Sequence, residues 1–447
     1  MPLNRQAIST MRHDAAAIFD SALRAVHAGT AVKTSCHIKN NLFFVGTTSF
    51  DLNRYDNIYI IGGGKASAHM GAAIEELLLY RITSGIINVK YNHTVSLKKI
   101  KLIEAGHPIP DENGQKGARA ILNLADKAQK KDLIICLISG GGSALLALPA
   151  PSLTLSDKQK TIQTLLACGA SIDDINTLRK HMSDIKGGWL AQKAYPATLV
   201  TLILSDVVGD KLDVIASGPG VPDHSTFADC MNIIKSYDII NDLPKRVIEH
   251  FKKGSEGKTK ETPKTGDSSF ENTFNLIIGS NSQALYAAKK KAKALGYNTL
   301  ILSSMIEGDT GDAARFHTSI AKEIRQTGNP IPPPACILSG GETTVKIKGS
   351  GLGGRNQEFA LKAACDMKNE GQMVILSAGT DGTDGPTDAA GAVVDSQTIK
   401  KALAAGLNPD HFLANNDSYH FFEKTDELII TGPTGTNVMD IRIVLVT

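Results

Sequence analysis

One pattern recurs along this sequence: an apolar run ends in a loop of Gly, Ser, Asp and Thr, and a helix-like segment begins directly after the loop. The pattern occurs five or six times, with clear examples at residues 58–70, 133–146 and 198–210. In an open parallel α/β sheet, the loops that follow the strands gather at one edge, where ligands bind. The repetition therefore predicts an α/β fold with a mostly parallel sheet and a binding edge built from several loops.

Composition narrows the class of protein. A chain of 447 residues is long enough for two or three domains. A net charge of +3 and an aromatic content of 5% argue against a nucleic-acid partner. No apolar run approaches the roughly 18 residues needed to span a membrane, and the first residues lack the apolar core of a signal peptide. The six cysteines form no C-x-x-C pair, which predicts a reducing, cytoplasmic location without a zinc site or disulfide frame.

The stretch at residues 252–273 has almost no apolar residue. Such a composition is typical of a linker or mobile loop. We therefore expect one domain over residues 1–251, a polar connection over 252–273 and a second domain over 274–447.

The first loop, Gly62-Gly63-Gly64-Lys65, joins an apolar run to a helix start. This layout places anions at a helix N-terminus. A lysine is disfavoured there unless an anion compensates its charge, so Lys65 is predicted to contact phosphate, with a surface lysine as the alternative. The loop lacks the spacing of a P-loop. As a dinucleotide fingerprint it is poor, because Ser67 replaces the third glycine and the next strand ends in Lys90.

The second loop has the same layout and offers backbone donors together with two hydroxyl groups. We interpret it as a phosphate or carboxylate cradle; its residues are Ser139, Gly140, Gly141, Gly142 and Ser143. Ser143 as a nucleophile is disfavoured, because the G-x-S-x-G pattern lacks its final glycine.

A helix-like segment at residues 176–191 carries Arg179, Ser183 and Lys186. Their i, i+4, i+7 spacing would place them on one helix face. Recognition of a substrate carboxylate and an ordinary solvated basic face both remain open for this segment.

A third glycine-rich stretch runs from Leu338 to Glu358. Gly340 and Gly341 end an apolar run, Glu342 follows, and four more glycines, the last of them Gly354, precede Arg355. Glycines at this density allow backbone N–H groups to converge on an anion, and the arginine fork pairs well with phosphate or carboxylate. The alternative is a flexible hairpin with a solvated arginine.

Three aspartates are candidate metal ligands because they lie just beyond apolar runs. They are Asp206, Asp381 and Asp384. Carboxylates at these positions suit a hard cation such as Mg²⁺, although capping of a turn would explain them too. We expect the basic and acidic groups to face one cleft between two lobes. Cations, a carboxylate-bound metal and a backbone cradle together are typical of phosphoryl transfer.

Ten motifs, several of them long and rare, relate this chain to a known protein family. They are IGGGKAS (61–67), AGHPIPDENG (105–114), ISGGGSALL (138–146), LRKHMSDIKGG (178–188), SDVVGD (205–210), IASGPGVPD (215–223), LSGGETTV (338–345), GGRNQE (353–358), AGTDGTDGPTDAAGA (378–392) and GPTGTNV (432–438). With them the chain resembles the type-2 glycerate kinase family, also called the MOFRL family, almost from end to end. Trp189, Gly220 and Met439 depart from the family pattern and bear on fine substrate choice.

The resemblance implies a Rossmann-like N-terminal domain, a distinct C-terminal α/β domain, and ATP- and Mg²⁺-dependent phosphorylation of D-glycerate at its 2-hydroxyl. The family's essential lysine falls on Lys65 and its essential arginine on Arg355. The implied partners are small molecules only, with no nucleic acid and no membrane, and a homodimer is a candidate assembly. Two other functions stay open on the sequence: an NAD(P)-dependent hydroxypyruvate reductase and a non-catalytic sugar-phosphate sensor.

Overall fold

A computed structural model describes residues 5–367 and 370–447 as two compact units. The N-terminal unit is Ala28–Ile278, and the C-terminal unit joins the segment up to His27 to Gly279–Thr447. The helices are α1 (Arg5–Val26), α2 (Ala28–Ser35), α3 (Ser67–Leu78), α4 (Glu112–Lys127), α5 (Gly142–Leu145), α6 (Leu155–Ala167), α7 (Ile172–His181), α8 (Trp189–Ala194), α9 (Phe227–Ser236), α10 (Lys245–Ser255), α11 (Asn281–Ala294), α12 (Thr310–Thr327), α13 (Arg355–Asp366), α14 (Thr398–Ala404), α15 (Pro409–Ala414) and α16 (Ser418–Thr425).

The strands in the described part of the chain form three sheets. They are β1 (Cys36–Lys39), β2 (Leu42–Val45), β3 (Thr48–Asp51), β4 (Asn57–Gly63), β5 (Ile82–Lys90), β6 (Ile100–Ala105), β7 (Asp132–Ile138), β8 (Thr198–Leu204), β9 (Thr273–Gly279), β10 (Asn298–Ile306), β11 (Ala335–Gly341), β12 (Met373–Gly379), β13 (Gly391–Asp395), β14 (Leu428–Ile429) and β15 (Asp440–Val446). The first three make a small antiparallel sheet in the N-terminal unit.

The main sheet of the N-terminal unit has the order β6-β5-β4-β7-β8-β9, and its first five strands are parallel to their neighbours. Strand β7 is buried along its whole length, and β8 is buried beyond its first residue. Continuous apolar strands of this kind are typical of a parallel sheet covered on both faces. The loops after β4, β7 and β8 therefore begin at one sheet edge, which confirms the α/β prediction for this unit.

A helical layer of the N-terminal unit has its own apolar core. Helices α6, α7, α9 and α10 contribute Leu165, Leu178, Phe227 and Phe251 to that core. The layer fixes α6 and α7 against each other, and both helices carry cationic side chains discussed below.

The C-terminal unit contains a mixed sheet of order β10-β11-β15-β12-β13-β14. Strands β10 and β11 are parallel, whereas β15 is antiparallel to both β11 and β12. Consequently Asp440, the first residue of β15, pairs with Gly341 and Gly379 at the ends of its two neighbours. Helix α13 packs its apolar face, including Phe359, on this sheet.

The N-terminal helix and the expected domain boundary differ in their outcome. Apolar residues recur at helical spacing from about residue 11 onward, and the structure forms α1 there, with Ile18, Phe19 and Ala22 buried. It belongs to the C-terminal unit, however, rather than to the domain expected over residues 1–251. The stretch at 252–273 lies inside the N-terminal unit, where Thr262 and Ser269 are buried.

Helix length and hydropathy also bear on membranes. Within residues 5–367 and 370–447, no helix combines the length and apolar character required to cross a bilayer.

Candidate active site

Lys65 lies at the junction of two glycine loops in the N-terminal unit. Gly64, between β4 and α3, has a φ of +155°, and a Cβ there would lie 2.1 Å from Ser139 Oγ. Only glycine fits such a close approach. The Lys65 backbone N–H donates to the Gly140 carbonyl at 2.8 Å, and the Ala66 N–H donates to Ser139 Oγ at 3.0 Å. The loops after β4 and β7 are therefore bound together, with half-buried Lys65 at their junction.

The Ser139 side chain has a structural role. Its side chain is buried, and its hydroxyl lies 3.0 Å from Ser67 Oγ in addition to accepting the Ala66 N–H. These bonds hold α3 against the second loop. The ligand contact expected for Ser139 stays a prediction.

The remaining cradle residues, Gly141 to Ser143, open helix α5 beside Lys65. A Cβ on Gly141, whose φ is +82°, would lie 2.8 Å from the His107 ring and 3.3 Å from Lys65 Cγ. Ser143 Oγ lies 2.9 Å from Ser217 Oγ. The structure thus brings the predicted cradle, Lys65 and His107 to one edge of the parallel sheet.

The predicted common helix face of Arg179, Ser183 and Lys186 is wrong. Helix α7 ends at His181, Ser183 forms a bridge to Pro149, and Lys186 lies in the turn before α8. Met182 is the C-cap residue that follows α7, and its N–H donates to the Leu178 carbonyl.

Arg179 and Lys186 nevertheless remain neighbours. Lys186 Nζ donates to the Ala216 carbonyl at 3.2 Å, and Arg179 Nη1 donates to Asn176 Oδ1 at 3.3 Å. Asn176 Oδ1 also accepts from Ser217 Oγ at 3.1 Å. Burial lowers the pKa of Lys186 well below its ordinary value. The positive charges of neighbouring cations, Arg179 among them, lower it further.

Sequence reasoning missed a third cation, Lys158. It lies on the buried face of α6 with Thr161 and Leu165. Burial, and then the charge of Arg179, lowers the pKa of Lys158 to about 7, while Asp184 acts in the opposite direction. The available signal was its i, i+3, i+7 spacing with Thr161 and Leu165, which places a lysine on an otherwise inward-facing stripe.

Asp206, the first metal candidate, follows β8 at the same sheet edge as the glycine loops. Its side chain is half-buried. The neighbouring Ser205 hydroxyl accepts the Val207 N–H at 3.3 Å and shapes the turn. The position suits a ligand-facing carboxylate.

In the C-terminal unit, Arg355 is the first residue of α13 and is held by two carboxylates. Its Nε and Nη2 donate to the two oxygens of Asp440 at 2.7 and 3.0 Å, and Nη1 lies 3.0 Å from Glu342 Oε1. Burial lowers the pKa of Arg355, but the charges of Asp440 and Glu342 outweigh it and raise the pKa above its ordinary value. The guanidinium is therefore always charged and has a fixed orientation.

Asp384 anchors the start of the same helix. Its two carboxylate oxygens accept the backbone N–H groups of Asn356 at 3.1 Å and Gln357 at 2.8 Å. Burial raises the pKa of Asp384 to about 7 despite these bonds. Both oxygens are engaged by the helix N-terminus, so Asp384 positions Arg355; its expected role as a metal ligand stays a prediction.

The glycine-rich loop ahead of Arg355 differs from expectation. Backbone N–H groups of Lys348 and Gly349 donate to Asn416 Oδ1, and that of Leu352 donates to Asp417 Oδ1. These donors bind a neighbouring loop of the same unit, so their predicted convergence on an anion is wrong. Gly354 is the N-cap residue of α13.

The other predicted residues of this unit occupy distinct places. Gly340 and Gly341 are buried at the end of β11, where they pair with β15. Asp381 is half-buried, and its Oδ1 accepts from the Thr383 N–H and hydroxyl, each at 3.1 Å.

Two charged residues at the start of β15 were missed. Arg442 is fully buried, with Nη2 3.3 Å from Asp440 Oδ2 and its guanidinium 5.1 Å from the Phe359 ring centre. Asp440 and Arg442 are two residues apart in a strand and therefore share one face. Alternating charges within an apolar strand were the signal that could have found them.

Mg²⁺ usually binds to one or two protein carboxylates together with phosphate oxygens and water. Within residues 5–367 and 370–447, no three His, Cys, Asp or Glu side chains gather closely enough to hold a metal on their own. Asp206 and Asp381 offer the oxygen chemistry that a phosphate-bound Mg²⁺ requires.

Two family models match this chain. A model described as a domain of unknown function (DUF4147) matches residues 14–252, and the MOFRL family model matches residues 335–440. The two matches together span most of both predicted domains.

Relatives and a solved structure match nearly the whole chain. The D-glycerate 2-kinase of Thermotoga maritima is 43% identical over 393 residues, which covers 88% of this chain and 91% of the relative. A relative from Agrobacterium vitis with the provisional name hydroxypyruvate reductase is 43% identical over 389 residues, covering 87% and 86%. The crystal structure of glycerate kinase from Thermotoga maritima superposes with a TM-score of 0.87 at 39% identity, covering 98% of this chain and 100% of that one.

Proposed function

We propose that this chain, which belongs to the MOFRL-containing family of glycerate kinases, transfers the γ-phosphoryl group of ATP to the 2-hydroxyl of D-glycerate. In this reaction the hydroxyl oxygen gains the phosphoryl group and loses its proton, and ADP leaves. The observation that carries the proposal is Lys65 at the junction of two glycine loops, because a cation at a helix start favours an anionic ligand.

The proposed role of Lys65 is to contact the transferring phosphoryl group. Its backbone is held by Gly140, so the side chain extends from a fixed point beside Gly141. A charged donor in a fixed position stabilises charge that develops on the phosphoryl oxygens. Gly63, Gly64 and the loop from Ser139 to Ser143 form the surrounding phosphate cradle in this proposal.

The proposed role of Arg355 is to stabilise the charge of the transition state. The bidentate pair with Asp440 leaves the Nη1 edge facing Glu342, whose side chain is exposed. Replacement of the exposed Glu342 contact by a phosphoryl oxygen would keep the Asp440 pair intact. Bidentate anchoring reduces the entropy lost when the guanidinium meets its ligand.

We propose Asp206 of the N-terminal unit and Asp381 of the C-terminal unit, each on its own evidence, as candidate Mg²⁺ ligands. A bound Mg²⁺ would neutralise charge on the nucleotide phosphates. Each carboxylate is half-buried and follows a strand, where a chelated nucleotide can reach it.

The remaining proposals concern the cellular location, the ligands and the assembly of the protein. All six cysteines are free thiols, as in proteins of reducing compartments, which supports a cytoplasmic location. We expect D-glycerate and ATP as ligands, and a homodimer stays a prediction.

A paired assay tests the proposed function. Purified protein is given D-glycerate, ATP and Mg²⁺ in one reaction, and hydroxypyruvate with NADH or NADPH in another. We expect ADP formation that depends on glycerate and disappears with excess EDTA, and no oxidation of the nicotinamide. Hydroxypyruvate-dependent oxidation without ADP formation would favour the reductase. Binding of sugar phosphates that EDTA leaves unchanged, with no turnover, would favour the sensor.

A further inference from the structure

Three cationic side chains from different segments of the N-terminal unit lie close enough to influence one another. They are Lys158 of α6, Arg179 of α7 and Lys186 of the turn before α8, and we call them the cation pocket. Arg179 lowers the pKa of Lys158, and both lower the pKa of Lys186. Lys158 and Lys186 are buried, with 6% and 2% of their surfaces exposed. Like charges gathered in a buried position oppose folding unless an anion joins them.

Lys158 carries the clearest sign of a missing partner. Its ammonium group has three donors, yet within residues 5–367 and 370–447 no group accepts a hydrogen bond from it. Burying an ammonium without an acceptor is strongly unfavourable, and an apolar side chain of similar length would pack there at a lower cost. A ligand that supplies acceptor oxygens would remove this penalty.

A strained loop places the cation pocket beside the second glycine loop. Ala216 and Ser217 are consecutive residues with φ of +50° and +59°, a backbone conformation that residues other than glycine rarely adopt. Ala216 presents its carbonyl to Lys186, and a Cβ on Gly142 would lie 3.0 Å from Ala216 Cβ. The Ser217 hydroxyl bonds to both Ser143 and Asn176. These contacts connect the pocket to the loop that holds Lys65.

We propose that Lys158, Arg179 and Lys186 bind the carboxylate of the acceptor 2-hydroxy acid, with Lys158 donating directly to a carboxylate oxygen. The inference rests on the proposed kinase function and names the subsite that would select its acceptor. A carboxylate at this position would place the adjacent hydroxyl toward the Gly140–Ser143 loop.

The construction of the pocket favours a carboxylate over a nucleotide phosphate. Its donors are side chains, whereas backbone N–H groups at glycine turns are the usual phosphate cradle. The loop that we propose as such a cradle, Gly140–Ser143, lies next to the pocket through its contact with Ala216. A carboxylate would offset one of these positive charges, and its attraction would favour the protonated form of Lys158.

Substitution of Lys158 by methionine tests the subsite. Lys158→Met removes the charge and keeps the length, and Lys160→Met is the matched control because Lys160 is exposed on the same helix. We expect the KM for D-glycerate to rise roughly 10- to 100-fold in Lys158→Met, as for loss of a charged hydrogen bond, with a smaller change in kcat. The KM for ATP and all constants of Lys160→Met should stay within about twofold of wild type.

Two further measurements separate binding from folding. The ligand-free Tm of Lys158→Met should equal or exceed that of wild type, because a buried uncompensated charge has been removed. D-glyceramide, which lacks the carboxylate charge, should inhibit wild type far more weakly than a carboxylate analogue, and this difference should largely disappear in Lys158→Met.

The pH profile provides a third readout. The charged groups that act on Lys158 are Arg179, Lys186 and Asp184, and Asp184 is itself paired with Arg119 at 3.2 Å. Since burial lowers the pKa of Lys158 to about 7, the free pocket loses this charge as the pH rises through 7. The KM for D-glycerate should then rise with pH, approaching tenfold per unit above about pH 7. In Lys158→Met this dependence should be lost.

Each alternative result has a clear meaning. An unchanged KM for D-glycerate in folded Lys158→Met would overturn the proposed subsite. If the wild type is an active kinase, the proposed function would stand despite that result. A raised KM for ATP instead would assign the pocket to the nucleotide and overturn the carboxylate proposal. A lower Tm with proportional loss of both affinities would show a structural lysine and overturn it too. Absence of kinase activity in the wild type would instead count against the proposed function.

Discussion

Arg355→Ala is expected to lower kcat by about 10³-fold or more, by analogy with arginine fingers in phosphoryl transfer. The guanidinium is oriented by two bonds to Asp440 and stays charged at every accessible pH. Alanine removes the charge proposed to stabilise the transition state. Steady-state ADP formation at saturating glycerate and ATP measures the effect.

Controls must separate this loss from a folding defect. Alanine at position 355 leaves the fully buried Asp440 with Asn356 and Arg442 as its side-chain partners among the residues that the structure describes, so a lower Tm is expected. Arg355→Lys keeps the charge without the bidentate geometry and should recover only part of the rate. Arg315→Ala, on the exposed surface of α12, should behave as wild type. Activity of folded Arg355→Ala within tenfold of wild type would remove Arg355 from the mechanism.

Lys65→Met is expected to lower kcat by about 10²- to 10³-fold, the usual effect of removing one preorganised donor to developing charge. The loop should keep its shape, because its bond to Gly140 comes from the backbone N–H of residue 65. The rate loss should therefore occur without a change in Tm. Single-turnover measurement of phosphoryl transfer reports the chemical step directly.

The matched control for this variant is Lys116→Met, a highly exposed lysine on α4. It should retain wild-type kcat and KM. A Lys65→Met enzyme with unchanged single-turnover rate and only a raised KM for ATP would show that Lys65 binds the nucleotide in the ground state, contrary to its proposed role.

Local patterns predicted the framework of this fold well. Helix α1 follows from its apolar spacing, and the caps Ser280 and Asp309 begin α11 and α12 as their side chains suggest. The loops after β4, β7 and β8 converge because parallel strands leave no alternative. These features depend on neighbours in sequence or on a general property of sheets.

Features that depend on distant partners were not predicted. The donors of the glycine-rich loop find acceptors in Asn416 and Asp417, more than sixty residues away in sequence. The same limit applies to the buried partner of Arg355 at Asp440 and to the inward position of Lys158. A sequence shows which residues are charged, whereas burial and pairing depend on tertiary packing.

We propose above that this chain phosphorylates the hydroxyl adjacent to the carboxylate of D-glycerate. Product identification by ³¹P and ¹H NMR tests this regiochemistry. The reaction contains D-glycerate, ATP and Mg²⁺, and no mutase is present. We expect 2-phosphoglycerate as the product. Formation of 3-phosphoglycerate, or the absence of any phosphorylated glycerate from folded protein, would contradict it.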